Sequence, residues 1–411
     1  MKTTTFKSFQ KKITILFFFI VTFLTAQTAP RVIGYVPDYR LGSVNQIDFT
    51  KLTHVNYSFG NPDGSGNLVV TDITPLKTAI NASNPNIEIL LSIGGGAVNV
   101  GNWNAVLATS SSRASFITQL VNYTTTNNIA GIDVDLEWDF ADNTNYSPFV
   151  LELKTALQAQ NKMMTSALPG GTLFSVITPQ ALDAFDFINI MAYDYTGPWQ
   201  PGSPGQHSSY AQAESAVAFW KTKVVASKLN LGVPFYSHSF VNSTTAGPDR
   251  SFGEIVAENP ANADVDQIGN DTNNYNEYYN GRPTIASKVT LANSEGLGGM
   301  MIWEVAQDSF GQYSLLTTIA STYATLSVPS FDPAVFTLYP NPTNGLVTIV
   351  MSDSKNIEQI EITNILGKKI QSLTNLNANT SSINLETYTS GIYFAKVTSE
   401  GKQAILKIVK Q

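Results

Sequence analysis

The sequence predicts an α/β protein: a (β/α)8 TIM barrel followed by a small all-β, sandwich-like C-terminal domain. Three observations lead there. Eight short β-rich runs alternate with helical stretches over roughly the first 325 residues, the order that builds a parallel barrel wrapped in helices. Past Ser327 the helical signals stop, and alternating strands separated by turn pairs such as Asn344-Gly345 and Ser390-Gly391 take over. With 411 residues, 43% hydrophobic and 13% charged, the chain is long enough for two domains and apolar enough to bury a large core.

The chain begins with Lys2, Lys7, Lys11 and Lys12, then an apolar run from Ile13 to Leu24, then small residues around Ala26. Residues 1–26 therefore read as a secretory signal peptide, with an apolar run too short for a membrane span. Its removal takes four of the 24 basic residues and none of the 31 acids, deepening the net charge from −7 to −11, which argues against a nucleic-acid partner. An exported chain without a single cysteine holds itself together without disulfides and has no thiol chemistry. Its three histidines, His54, His207 and His238, argue against a His-rich metal site. Chemistry is left to carboxylates, hydroxyls and aromatics, with no cofactor and no metal expected and the chain read as a monomer.

The barrel is expected over 30–326. Its strands are expected at Val32–Val36, His54–Phe59, Ile87–Ile93, Ile132–Trp138, Met164–Leu168, Phe187–Tyr193, Leu231–Tyr236 and Gly299–Trp303. Between the fourth and fifth, Ser147-Pro148 reads as cap and first residue of a helix with Phe149, Val150, Leu153 and Leu157 on one face. Between the seventh and eighth lie only about 60 residues, too few for a large extra α+β insertion, so the cleft is expected to be open. Residues 327–336, through Val328-Pro329-Ser330-Phe331-Asp332-Pro333, read as a linker, and 337–411 as the β domain.

The fourth strand carries the most information. In Ala130-Gly131-Ile132-Asp133-Val134-Asp135-Leu136-Glu137, three acids alternate with three branched apolar residues, so an extended strand puts all the acids on one face. Like charges spaced about 6–7 Å apart in a partly dry site favour a retained proton. A wet edge strand would explain the alternation, but a closed barrel has no edge. A calcium loop would need a glycine at its sixth position and a bidentate Glu at its twelfth, and neither is present. In the barrel, Ile132, Val134 and Leu136 face the helices and Asp133, Asp135 and Glu137 face the axis, with Glu137 nearest the C-terminal mouth, where such barrels place their chemistry. This makes the strand a candidate acid catalyst.

This strand resembles the Asp-Gly-x-Asp-x-Asp-x-Glu signature of glycoside hydrolase family 18, the chitinases and related endo-β-N-acetylglucosaminidases, with Ala130 in place of the first Asp. Ser92-Ile93-Gly94-Gly95 resembles the family's Ser-x-Gly-Gly, Met191-Ala192-Tyr193-Asp194 its Met-x-Tyr-Asp (with Asn189 where Gln is usual), and Trp303 its sugar-platform Trp. The resemblance implies substrate-assisted retaining hydrolysis, in which the substrate's own 2-acetamido group is the nucleophile. Asp135 and Glu137 share one side of one strand, which already makes a two-carboxylate mechanism awkward. By resemblance, Glu137 is the acid, Asp135 orients the acetamido group, Asp133 modulates Asp135, and Tyr193 donates to the acetamido oxygen. Asp194, Met191 and Trp303 line the sugar site. Aromatics at or after strand ends extend the expected cleft: Tyr35, Tyr57, Trp103, Trp138, Tyr195, Trp199 and Tyr236.

The C-terminal segment resembles the sorting domain of the type IX secretion system, through Leu338-Tyr339-Pro340-Asn341-Pro342, Asn364-Ile365-Leu366-Gly367, Ser390-Gly391-Ile392-Tyr393 and Lys407-Ile408-Val409-Lys410. The alternative is a carbohydrate-binding or immunoglobulin-like module. The resemblances together imply a secreted or cell-surface enzyme that meets the type IX machinery and cuts chitin, or another N-acetylglucosamine-containing oligosaccharide, and the expected open cleft points to cutting within the chain. The alternatives are an N-glycan-trimming endo-β-N-acetylglucosaminidase and a non-catalytic chitin-binding lectin.

Overall fold

The computed structural model describes residues 29–411 apart from 243, 271–274, 327–334, 353–354 and 366–367. The expected signal peptide, nearly all of the expected linker and the Leu366-Gly367 half of one sorting motif therefore lie outside the described residues. Eight parallel strands close a barrel: β1 (Arg31–Pro37), β2 (His54–Pro62), β3 (Glu88–Gly94), β4 (Gly131–Asp135), β5 (Met163–Pro169), β6 (Phe187–Met191), β7 (Leu229–Pro234) and β8 (Gly299–Trp303). Closure is made where β1 pairs with both β8 (Arg31 opposite Gly299) and β2 (Ile33 opposite His54).

The period-two pattern of each strand sorts its side chains between two environments. Ile132, Val134 and Leu136 of the β4 segment are fully buried in the large apolar layer between barrel and helices, together with Phe149, Val150, Leu153 and Leu157. The axis is more polar, with Asn56, Ser92, Asp133, Thr165, Asn189 and Asn230 all buried, beside a small apolar plug of Ile33, Tyr35, Ala167, Phe187 and Met301. An interior of hydroxyls and amides can hold a carboxylate that an aliphatic one would expel.

Three strands stop short of their expected ends. β4 ends at Asp135, β6 at Met191 and β7 at Pro234, so Glu137, Trp138, Tyr193, Asp194 and Tyr236 all stand on the loops just past the barrel rim. The helix after β4 runs Tyr146–Gln158 with Asn145 as its cap residue. Ser147 does not cap it: its hydroxyl donates to the Val176 carbonyl (2.6 Å) and accepts from the Thr178 amide (2.9 Å), tying the helix start to the next loop.

The expectation that the residues between β7 and β8 are too few for a large extra α+β insertion is corrected. That segment folds a four-stranded antiparallel sheet (His238–Asn242, Thr245–Ala246, Gln267–Asn270, Tyr275–Tyr278) and a short helix, Phe252–Glu258. Strands of two to five residues carry too little periodicity to register in the sequence. The C-terminal segment forms a three-stranded and a four-stranded antiparallel sheet around one apolar cluster that includes Val347, Ile349, Ile360, Ile383, Val397 and Ile408. Among the described residues no helix is long and apolar enough to cross a membrane.

The β3 end depends on glycine. Gly94 (φ 105°) and Gly95 (φ 91°) are left-handed, the Gly95 amide donates to the Asp135 carbonyl (2.8 Å), and a Cβ on Gly94 would sit 2.2 Å from that same oxygen. Gly94→Ala is therefore expected to cost more than about 2 kcal/mol, read as a fall of several degrees in the thermal midpoint, while Gly311→Ala, with open space around it, costs much less because only its φ of 120° is strained.

Candidate active site

The carboxylates of β4 meet three different environments in sequence. Asp133, deepest in the barrel, is held by hydroxyls from three neighbouring strands: Tyr35 (2.6 Å) and Ser92 (2.8 Å) donate to Oδ2 and Thr165 (2.6 Å) to Oδ1. Burial raises its pKa, and the three hydroxyls pull back against that rise. Asp135 is also buried, but its Oδ1 has no partner at all. Burial first, then the neighbouring charges of Glu137 and Asp133, drive its pKa well above the carboxylate range.

Glu137 stands past the strand end, with its carboxylate over the backbone of Gly96, where an added Cβ would lie 3.3 Å from Oε1. Burial, then the charges of Asp194 and Asp139, lift its pKa to about 7. A carboxyl that keeps its proton to neutrality can act as a general acid.

Tyr193, half-buried near Asp135, Asp194 and Glu137, has only a long contact from its hydroxyl to the Met301 sulfur (3.9 Å), which leaves the proton to donate elsewhere. Next to it, Asp194 takes a left-handed φ of 61°. Its Oδ1 collects three donors, Tyr236 (2.5 Å), His238 Nε2 (3.0 Å) and His207 Nδ1 (3.3 Å), and the side chain is still 42% exposed. Burial pushes its pKa up, but the hydrogen bonds from His207 and His238 outweigh this and hold it far below the usual range.

Asp194, His207 and His238 are the one group of metal-type donors found among the described residues, with ligand atoms within 4.8 Å of one another. Their facing atoms are already spent on hydrogen bonds to one another, which makes them an ion-paired cluster in this structure. Neither histidine was singled out for the site by sequence. His238 lies two residues past Tyr236 at a strand end, a position that draws attention only once the loop is known to fold back over the mouth.

The aromatics divide sharply. Trp303 stays partly exposed, edge-on to Tyr35 (5.5 Å) and stacked on Phe59 (5.7 Å), forming a floor at the mouth beside Met191. Trp138 and Trp199 are 60% and 56% exposed, the first braced by Phe174 and the second by His238. Tyr195 lies over Gly170, and Tyr236 is spent on Asp194.

Three expected cleft residues are corrected. Trp103 is wholly buried in the helix Val100–Leu107 among Phe116, Phe140 and Phe149, its indole N–H donating to Asn61 (2.7 Å). Tyr57 points out of the barrel into the helix layer and donates to the Thr71 carbonyl (3.1 Å). Tyr35 is buried on Asp133, so it supports a carboxylate and does not meet the sugar.

Residues 31–308 match the family model "Glycosyl hydrolases family 18". The chain belongs to this family. The C-terminal residues 337–411 match the secretion system C-terminal sorting domain, so this family 18 member is an exported one. Among solved structures, the chain is similar to the family 18 chitinase ChiB from the chitin utilization locus of Flavobacterium johnsoniae, with 44% identity and a TM-score of 0.69 over 72% of this chain and 94% of that one. It also shares the fold of a class V chitinase of Nicotiana tobaccum, at 21% identity and a TM-score of 0.63 over 72% and 99% of the two chains. Human chitinase-3-like protein 2 is 26% identical over 68% of this chain and 87% of its own length. The departure at Ala130 falls at the far end of the barrel: it immediately precedes β4, its amide bonding Ile89 and its carbonyl Met163.

The burial of Trp103 leads to a test. Trp103→Ala is expected to destabilise the barrel by about 3–5 kcal/mol, seen in chemical denaturation, whereas Trp199→Ala leaves the denaturation midpoint within about 0.5 kcal/mol of wild type.

Proposed function

We propose that this protein is a secreted chitinase that cleaves β-1,4 bonds between N-acetylglucosamine units by substrate-assisted, retaining hydrolysis. The observation that carries this reading is the sequence of acids along one strand face, with Glu137, its pKa lifted to about 7, just past Asp135, whose buried Oδ1 has no hydrogen-bond partner. Glu137 gives its proton to the glycosidic oxygen as the bond to the anomeric carbon breaks. The substrate's acetamido oxygen closes on that carbon, and Asp135 takes the acetamido N–H as the nitrogen gains positive charge. Tyr193 donates to the acetamido group, and Asp194 holds the sugar from the other side. Water then opens the oxazolinium ring, returning a proton to Glu137 and restoring the original configuration. Attack from within the substrate gains the rate advantage of a pre-positioned nucleophile, up to about 7–11 kcal/mol.

Asp133 is bonded to three hydroxyls and to no group of the cleft, so it works on Asp135 by charge. Trp303 supports the apolar face of the sugar at the cleavage point, with Trp138 and Trp199 as platforms for neighbouring units. The strands of the inserted sheet are only two to five residues long, which suits a cleft open enough for cutting within the chain. Binding of chitin-type oligosaccharides as a monomer and delivery through the type IX machinery complete the proposal, with residues 30–326 as the catalytic unit and 337–411 as the address.

Glu137→Gln is expected to lower kcat by about 10²–10⁴ while chito-oligosaccharide binding persists, and undiminished hydrolysis in this variant would remove the assignment. Because the acid works only when protonated, kcat/KM should fall as pH rises through about 7. Incubation with N-acetylglucosamine hexamer and with a high-mannose glycoprotein, read by mass, should release product from the first and not the second. Glycan release alone would make this an endo-β-N-acetylglucosaminidase, and binding without any turnover a lectin. Release of dimer alone from the earliest times, with polymer length unchanged, would exclude cutting within the chain.

A further inference from the structure

Behind the proposed machinery, one side chain is in an unusual position. His238, the first residue of the inserted sheet, is buried between two carboxylates, with Nε2 3.0 Å from Asp194 Oδ1 and Nδ1 2.8 Å from Asp249 Oδ1. A neutral imidazole has one N–H and can serve only one of them; an imidazolium serves both. The geometry therefore calls for a buried cation. Its pKa agrees: burial pulls it down, but the hydrogen bonds to Asp194 and Asp249 outweigh this and raise it to about 9.

The other groups around the ring do not supply that charge. His207, 4.5 Å away between ring centres, is pushed toward neutrality by burial, against the pull of Asp194, and by the charges of His238 and Lys288. Tyr236 (5.4 Å) and Trp199 (5.5 Å) wall the ring, and Tyr278 lies opposite it across the inserted sheet. The Lys288 ammonium is committed to the Ser208 carbonyl and hydroxyl and to Asn280, each at 2.7 Å. Arg250 is paired with Glu277 and Glu258. Asp194 thus has two neutral donors, Tyr236 and His207, and one cation, His238, on a single oxygen, while its other oxygen receives no hydrogen bond from the described residues.

We propose that His238, held in place by Asp249, is a positioning residue that keeps Asp194 anionic with its open oxygen toward the cleft, and so sets how far into acid the enzyme works. The proposal rests on the reading of Glu137 as the acid and Asp194 as a sugar contact. Without the imidazolium, burial alone acts on Asp194 against two neutral hydrogen bonds, so it takes up a proton at higher pH. The sugar contact then loses its acceptor, and Glu137 loses one of the charges that lift its pKa.

The test is kcat/KM against pH on a soluble chito-oligosaccharide for the full chain and for His238→Gln, His238→Arg and Asp249→Asn. The acid limb is expected to move up by one pH unit or more in His238→Gln, less far in the same direction in Asp249→Asn, and back toward wild type in His238→Arg, which keeps the charge. With three histidines in the chain, ring NMR should show one imidazole that stays protonated to about pH 9 and titrates lower in Asp249→Asn. Superimposable acid limbs with uniformly lower activity would overturn the proposal, as would three histidines all titrating below pH 7 in the wild type. If His238→Gln does not fold, the Asp249→Asn profile and the ring titration decide by themselves. An active Glu137→Gln sinks the functional reading, whereas an inactive one alongside an unmoved acid limb sinks only this inference.

Discussion

A carboxylate sealed inside a closed barrel is the constraint on which the site depends. Asp133 has no water to solvate it, and an unpaired charge there would cost several kcal/mol. Tyr35, Ser92 and Thr165 come from β1, β3 and β5 to meet it, so three strands must hold register with β4 for the acid to be tolerated. This is why residues that look like core or ligand contacts in the sequence are neither. Tyr35 is a hydrogen-bond donor to an acid, and the barrel axis is polar because that acid requires it.

From Asp133 outward the acids lose hydrogen bonds from the protein, and the chemistry follows. Asp133 has both oxygens satisfied, Asp135 has one oxygen bare, and Glu137 lies beyond the strand over a glycine. Burial raises the pKa of all three, the charges of Glu137 and Asp133 add to the rise at Asp135, and those of Asp194 and Asp139 add to it at Glu137, so the column holds protons that isolated carboxylates would lose. The Gly94–Gly95 turn keeps this column in line by placing the β3 end directly against the Asp135 carbonyl, where no side chain fits. The second cluster, around Asp194, works in the opposite direction: its donors stabilise the charge that β4 suppresses. An acid kept protonated and an acid kept ionised then face one another across the mouth.

Much of the site was legible before the fold was known, for a physical reason. Strand periodicity is two, so alternation alone placed Asp133, Asp135 and Glu137 on one face, and eight such runs between helical segments left few architectures other than a barrel. Other readings failed where local pattern carries no information about depth. Trp103 and Trp199 are both tryptophans in segments following strands; one is sealed among three phenylalanines and the other is half in solvent. Ser147 precedes a proline as a cap would, yet its hydroxyl is used across a loop contact 29 residues away. The inserted sheet escaped notice because its strands are too short to show a period.

The sequence by itself determined the barrel, the acid column and the exported character of the chain, since these rest on alternation, order of elements and local motifs that any extended or helical segment must obey. Tertiary structure alone decided which aromatics reach the cleft, that Tyr35 belongs to Asp133, and that His207, His238 and Asp249 gather around Asp194. Those contacts join residues up to 98 positions apart, and their energies depend on burial and on the direction of each donor. Both are set only when the strands close and the loops fold back over the rim.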